Sequence, residues 1–320
     1  NVKVTVDNYS DALCFSRLPI PYGSKKINDY NRHVGVYAFL KNALIEFSRL
    51  ERSNLETIEN LEGLRIIENS KKIRMINNKD QIIKYFEDGI KEERNLKIGV
   101  EHEKFIFNKK DNKRIDYSSI TKMFDHLYEF GWKPIKENDK VVGLSKEDKN
   151  ITLEPGNQIE LSGAKLSNIH EACSESHEYL FELKQVLEKL NFQIISAGFD
   201  PISKLSEIPN NPKQRYEVMT KDMPEGGALS LDMMYRTCGT QLNIDYTSEE
   251  DFSKKFRLAN YLVPINIALF ANSSIIEKKN SNYFSYRSHV WQQTSRGGLP
   301  KLFLEKINFE SYAEFAMSMP

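Results

Sequence analysis

The chain has 320 residues, with 45 Lys and Arg against 45 Asp and Glu and 40% hydrophobic residues, a composition with room for two or three domains. The balanced charge gives no reason to expect nucleic acid or an anionic membrane as partner, and no run reaches the ~18 apolar residues of a membrane span. Cys14, Cys173 and Cys238 lie far apart without metal-ligand spacing, and residues 1–20 lack a signal-peptide pattern, so a reducing cytoplasm is the expected location.

In chain order, residues 1–76 read as a small, incomplete α/β piece: strands near 1–6 and 12–16, a Pro/Gly loop, a strand HVGVYAF at 33–39, then helices. Ser53 is placed to cap one continuous helix through NLETIENLEGLRIIENS, with Leu55, Ile58, Leu61 and Leu64 as its apolar stripe. A short strand, KIRMI, separates it from NKDQIIKYFEDGI, an amphipathic helix with Ile82, Ile83, Phe86 and Ile90 on its apolar side.

From residue 97 the pattern is α+β. Strands are predicted at 97–107, 141–145, 150–154, 158–163, 193–199 and 239–246, and helices near 118–130, 167–190 and 250–272. The strands at 150–154 and 158–163 flank a PGN turn in which Pro155 presets one dihedral and Gly156 accepts a positive one, which predicts a hairpin. The end of the chain falls inside a helix-like pattern, FESYAEFAMSMP, and the first residue is Asn1, so a fragment is expected at both ends.

The segment KIGVEHEKF sets Glu101 and Glu103 on one face of a strand. Two carboxylates so placed repel, which calls for a cation between them. All-oxygen ligands suit Mg²⁺ or Mn²⁺ shared with substrate phosphates. An edge strand whose glutamates face water is the alternative. The hairpin ITLEPGNQIELSG repeats the feature, with Glu154 at the turn and Gln158 and Glu160 on one face of the returning strand, ending in Ser162-Gly163, where a glycine permits close approach. A third strand, YRTCGTQLNID, puts Gln241, Asn243 and Asp245 on one face and Leu242 and Ile244 on the other, with Arg236 and Thr237 at its start; taken by itself it reads better as a half-exposed antiparallel strand. Arg215-Tyr216, Arg287 near His289 and Trp291, and Arg296 before Gly297-Gly298 are further candidates for anionic ligands. His102 points to the opposite face and reads as a satisfied second-layer residue. No G-x-S-x-G elbow, P-loop, G-x-G-x-x-G or H-E-x-x-H competes. The expectation is an open antiparallel sheet with one face of Glu, Gln and Arg, suited to phosphoryl transfer.

The segments IGVEHEKF, LEPGNQIELSGA, KQRYEVM, LDMMYRTCGTQLNIDY, ALFANSS and YRSHVW, in this order and spacing, resemble glutamate–cysteine ligases of the plant and proteobacterial type over residues 77–320. That resemblance implies a catalytic domain with the antiparallel cradle of the glutamine-synthetase-like carboxylate–amine ligases. It also implies use of ATP and Mg²⁺ to join the γ-carboxylate of glutamate, through γ-glutamyl phosphate, to the amine of cysteine, the first step of glutathione synthesis. By motif position, Glu101, Glu103 and Glu160, with Glu154 nearby, would hold Mg²⁺; Gln241, Arg236 and Arg287 would act on the transferring phosphoryl group or substrate carboxylate; and Arg215, Tyr216 and Arg296 would hold substrate or nucleotide. Partners would then be small molecules, with no nucleic acid or membrane and the oligomeric state left open. A related ligase with another amine acceptor, and an inactive fusion that binds ATP and Mg²⁺ without turnover, are the alternatives. Members of this family continue past YAEFAMSMP, and the tail would supply helices and part of the substrate surroundings. Residues 1–76, through FSRLPIPY, RHVGVYAF and LETIENLEGLRIIENSKKIRMI, resemble the C-terminal half of 3-deoxy-manno-octulosonate cytidylyltransferases. There Ser16, Arg17, His33 and Glu56 or Glu59 would lie toward the sugar acid, and without the nucleotide-binding half no cytidylyltransferase activity is expected.

Overall fold

The computed structural model describes residues 2–21, 31–33, 37, 39, 41–75, 79–137, 139–294 and 301–318. They belong to two units, residues 1–88 with 309–320, and residues 89–308.

In the first unit, β1 (Lys3–Val6) is flanked antiparallel by β2 (Ala12–Ser16) and β3 (Asn31–Arg32). Four helices follow: α1 (Lys41–Arg49), α2 (Asn54–Glu59), α3 (Gly63–Glu68) and α4 (Lys79–Asp88). The core is Val4, Ala12, Phe15, Leu61 and Leu64. Most of the strand expected at 33–39 lies outside the described residues. The continuous helix expected after Ser53 is two helices, because Asn60 ends α2 in the left-handed region (φ 55°) and the chain turns before α3. The expected stripe is therefore split: Leu61 and Leu64 are buried, while Leu55 and Ile58 face outward, Ile58 at 78% exposure. In place of the KIRMI strand, Arg74 makes a single bridge to Asp11. The last helix, α11 (Phe309–Ser318), packs on α4 through Phe86, whose ring lies 5.6 Å from Phe309 and 5.4 Å from Tyr312. Lys79 ties the two helices through Glu310 (2.5 Å) and Glu314 (2.9 Å).

The second unit is built on one long strand, β4 (Ile98–Asn108), followed by α5 (Tyr117–Leu127), β5 (Lys133–Glu137), β6 (Lys140–Lys146), β7 (Lys149–Leu153), β8 (Ile159–Ser162), α6 (Ile169–Leu190) and β9 (Phe192–Ile195). Then come α7 (Gln214–Asp222), α8 (Ser230–Arg236), β10 (Thr240–Ile244), α9 (Glu249–Leu269), the small hairpin β11 (Ile275–Ile276) and β12 (Lys279–Asn280), and α10 (Tyr286–Gln292). The large sheet is antiparallel throughout, ordered β10-β4-β8-β7-β6-β5, with β9 pairing the second half of β4. The expected α+β class is thus observed. The sequence reading missed β5, whose Pro134 and lysines obscure the apolar alternation; such a strand belongs at a sheet edge, and β5 is one.

Period-two alternation sorts the sheet into two faces. Ile106, Leu144, Ile151, Leu153, Ile159 and Leu161 point to one side, where α5 and α6 cover them with Ile120, Met123, Phe124, Leu183, Val186 and Leu187 to form the main core. His102 lies on this side, its Nε2 3.1 Å from Ser176 Oγ on α6, as expected. The alternate positions of β4, β8 and β10 point to the other side.

Two glycines set how closely the chain folds here. The hairpin turn forms as expected, but its positive φ (60°) belongs to Asn157, not Gly156, since asparagine tolerates that conformation. Gly156 is required instead by crowding: a Cβ there would stand 2.9 Å from the Tyr235 carbonyl oxygen and 2.8 Å from Ile208. At Gly163 a Cβ would meet the Val100 carbonyl at 2.8 Å as well as the Glu175 carboxylate. We therefore expect Gly163→Ala to lower stability by about 1–3 kcal/mol in urea unfolding, and a change within error would show that the strand ends can separate freely.

Candidate active site

Strand register assembles the polar face. In the β4–β8 pair Glu103 stands opposite Glu160 and Glu101 opposite Ser162; in the β4–β10 pair Glu101 stands opposite Gln241 and Gly99 opposite Asn243. Glu101, Glu103, Glu160 and Gln241 therefore share one face of three adjacent strands. Each is held by a neighbour: Asn243 Nδ2 donates to Glu101 Oε1 (3.0 Å), Gln241 Nε2 donates to Asn243 Oδ1 (3.1 Å), and Ser162 Oγ donates to Glu160 Oε1 (2.7 Å).

Glu103 is at the centre. Its Oε2 accepts from the Gly239 amide at 2.5 Å, and Arg287 approaches from α10, its Nη2 only 3.0 Å from where a Cβ on Gly239 would be. Burial pushes the Glu103 carboxyl up to about 7; Glu154 and Glu160 raise it further, while the Gly239 amide and Arg287 act the other way. Burial in turn holds the Arg287 guanidinium below its usual range, against the pull of Glu103. Arg287 also lies over the Trp291 ring at 5.5 Å.

Glu154 sits at the hairpin turn, clamped by the start of α7. Tyr216 donates its hydroxyl to the Leu153 carbonyl (3.0 Å) and to Glu154 Oε2 (3.3 Å), Arg215 Nη2 donates to the Tyr216 oxygen (2.6 Å), and Lys213 Nζ donates to the same Leu153 carbonyl (2.7 Å). Burial and the nearby Glu160 raise the Glu154 carboxyl, whereas burial brings the Lys213 ammonium down to about 8. Lys213, within KQRYEVM, is not among the site residues expected from the sequence. A lysine beside an Arg-Tyr pair was the available signal, but its burial depends on a turn some 60 residues earlier.

Other expected residues are placed differently. Arg236 is the last residue of α8, ahead of β10; its Nη1 donates to Asp232 (2.8 Å) and lies 3.5 Å from Glu277, and its guanidinium stacks on Phe199 at 4.5 Å. Gln158 precedes β8 and is consumed in the floor of the site, accepting from the Gly156 amide (2.8 Å) and donating to the Thr237 carbonyl (3.1 Å). Arg296 lies outside the described residues. In the first unit Glu56 is paired with Arg65 (2.5 Å), Arg17 Nε donates to the Glu59 carbonyl (3.1 Å), and the His33 ring packs on Phe15 at 4.8 Å.

The donor chemistry of the face fits a hard divalent cation: every candidate ligand is an oxygen, and the Glu103 and Glu154 carboxyls are both raised, by burial first and by neighbouring carboxylates, Glu160 among them in each case. Among the described residues, no three His, Cys, Asp or Glu side chains stand close enough as they are to hold one ion, so the fit is one of charge and donor type. Between pH ~4.5 and 7 the folded chain retains the Glu103 proton that an unfolded chain would release, so stability is greatest below that window and falls as pH rises through it. Glu103→Gln should be spared this loss, which is at most ~3 kcal/mol for such a shift. Equal pH dependence in thermal melts of the two proteins would refute the assignment.

An open antiparallel sheet with acids and amides on one face and helices on the other defines an α+β domain. Residues 97–320 match the Glutamate-cysteine ligase family 2 (GCS2), and the chain belongs to that family. It is 42% identical to glutamate–cysteine ligase A, chloroplastic, of Oryza sativa subsp. japonica and 40% identical to the chloroplastic glutamate–cysteine ligase of Nicotiana tabacum. Each match covers 76% of this chain and 50% and 47% of the relative, respectively. The Arabidopsis thaliana enzyme is 39% identical over the same share of this chain and 47% of its own. The chain thus spans about half the length of the curated relatives it matches. Residues 1–73 match a Cytidylyltransferase family. No helix among the described residues is long and apolar enough to cross a membrane.

Proposed function

We propose that residues 77–320 are the catalytic region of an ATP-dependent ligase that joins the γ-carboxylate of glutamate, through γ-glutamyl phosphate, to the amine of cysteine. The observation that carries this reading is the strand register setting Glu103 against Glu160 and Glu101 against Gln241 on a single face. The sheet would be the cradle of a glutamine-synthetase-like carboxylate–amine ligase. Glu101, Glu103, Glu160 and Glu154 would hold Mg²⁺, which when bound offsets phosphate charge and polarises the transferring phosphoryl group.

This chain's own residues do the rest by charge and position. Arg287, already facing Glu103, would neutralise the transferring phosphoryl oxygens; Gln241 would contact metal or phosphate from β10; Arg236 would meet the substrate carboxylate by exchanging its present partner Asp232. Arg215, Tyr216 and Arg296 would hold substrate or nucleotide. The clamp of Lys213 and Tyr216 on the Leu153 carbonyl fixes the direction of Glu154. For residues 1–76 we read a piece of a 3-deoxy-manno-octulosonate cytidylyltransferase, and we place the reaction of the larger part in the cytoplasm.

The test is phosphate release from ATP by the purified chain with glutamate and Mg²⁺, with and without cysteine, with the product identified by mass. Cysteine-dependent release giving γ-glutamylcysteine is expected. Equal release with another amine would move the chain to a related ligase, and ATP binding with no product would leave it a binding protein.

A further inference from the structure

Asn272 and Ser273 lie in ALFANSS, the segment that joins α9 to β11, outside the strands that carry the acids. Both nevertheless reach the backbone that holds Glu103 and Arg287. Asn272 Oδ1 accepts from the Gly198 amide (2.8 Å). Residues 198–200 in turn lie antiparallel to 236–238: Phe199 stands opposite Thr237, the Asp200 amide donates to the Arg236 carbonyl (2.8 Å) and the Cys238 amide to the Gly198 carbonyl (3.2 Å). The amide after Cys238 is that of Gly239, the donor to Glu103 Oε2. Gly198 also supports Arg287. A Cβ there would stand 3.2 Å from Arg287 Cδ and 2.9 Å from Asn272 Oδ1, so the arginine stem rests on the glycine where the asparagine holds it. Ser273, 3% exposed, fixes the backbone of the same arginine: its Oγ accepts from the Arg287 amide (3.1 Å), its carbonyl oxygen accepts from the Tyr286 amide (3.1 Å), and its own amide donates to the Phe284 carbonyl (3.2 Å). The guanidinium itself is less restrained, since Arg287 Nε is buried without a hydrogen-bond partner among the described residues. Its aim therefore depends on what holds its stem and backbone.

We propose that Asn272 is a positioning residue of the site, acting through Gly198 to keep the Gly239 amide on Glu103 and the stem of Arg287 beside it, so that the acid and the guanidinium hold one relative position. The use made of that position rests on the ligase reading; the relay of hydrogen bonds does not. A single neutral hydrogen bond contributes little to global stability, because the unfolded chain makes an equivalent one to water. Its leverage here is geometric: a shift of about 1 Å at groups that meet a reacting centre can cost about a hundredfold in rate. Asn272 touches neither acid nor guanidinium by a hydrogen bond, so whatever it does to them passes through the Gly198 peptide.

Asn272 is an exposed residue, so Asn272→Ala removes the acceptor without opening a cavity, and Asn272→Asp keeps an acceptor oxygen in its place. Hydrogen exchange on the full chain without substrates reads the relay. In Asn272→Ala the amides of Gly198 and Gly239 should exchange about tenfold or more faster, while those of Leu144 and Ile151 in the main core keep their rates. Mn²⁺ titration followed by paramagnetic resonance should show binding weaker by about threefold to tenfold. Asn272→Asp should restore both readouts, and Lys279→Ala, exposed on β12, should change neither. In turnover the loss should fall on kcat, about tenfold or more, with KM for ATP within about twofold. Faster exchange at Gly198 alone, faster exchange throughout the core, or no restoration by aspartate would each overturn the inference. Absence of turnover in the parent chain strikes the ligase reading instead, because the exchange and Mn²⁺ readouts are made without ATP and decide this one by themselves.

Discussion

Glu103→Gln should lower cysteine-dependent phosphate release by about two to three orders of magnitude, a loss comparable to removing a preorganised group that meets the charge of a transition state. Among the acids of the face it is the one held from every side: it faces Glu160 across the sheet, accepts from the Gly239 amide and is approached by Arg287. Glutamine keeps the size and removes the charge, so the strand should stay in place. Glu101→Gln should cost less, because Glu101 already shares its oxygen with Asn243. A second readout is independent of turnover: Mn²⁺ titration followed by paramagnetic resonance should show weaker binding in Glu103→Gln by about tenfold or more. Unchanged Mn²⁺ affinity together with unchanged turnover would remove Glu103 from the site.

The second large effect is on folding. Arg114 and Asp200 form an ion pair (3.0 Å) with both side chains at 1% exposure or less. Arg114 also donates to the Gly156 carbonyl and lies over the Phe105 ring at 4.7 Å; Asp200 accepts from the amides of Ile202 (2.8 Å) and Ser203 (2.9 Å). Burial presses the Arg114 guanidinium down from its usual range and Asp200 offsets this. Asp200→Asn leaves that cation buried without its counter-charge and should cost about 3–5 kcal/mol in urea unfolding. Adding Arg114→Met to Asp200→Leu removes both charges and should cost less than the sum of the single changes. A single-variant loss below about 1 kcal/mol would mean that water reaches the pair.

Those two residues show where reading the sequence ended. Arg114 and Asp200 lie 86 residues apart, in segments whose alternation said nothing of a shared buried pair. The same limit explains Lys213. Its side chain is one more surface lysine until the turn at Leu153 is packed over it, and only then does burial bring its ammonium down to about 8. The split of the expected helix at Asn60 is a subtler case. The apolar spacing of Leu55, Ile58, Leu61 and Leu64 fits one helix as well as two, and what decides is a left-handed residue followed by Gly63, whose missing Cβ makes room for Phe15.

The sequence by itself determined the α+β class, the hairpin at Glu154 to Gln158, and that Glu101 and Glu103 on one strand, and Gln241 and Asn243 on another, each share a face of their own strand. The reason is that side-chain direction along a strand follows from a period of two, a local property of the backbone. Tertiary structure alone decided which strands lie side by side, and with that which acid faces which partner. Arg287 meets Glu103 only because α10 packs against Gly198 and Gly239, Arg236 is drawn to Asp232 instead, and the apolar sides of β10 and α9 are left uncovered. Such contacts come from the packing of segments distant in sequence, and the energy that selects them, burial and the pairing of charge in a low dielectric, exists only once those segments have met.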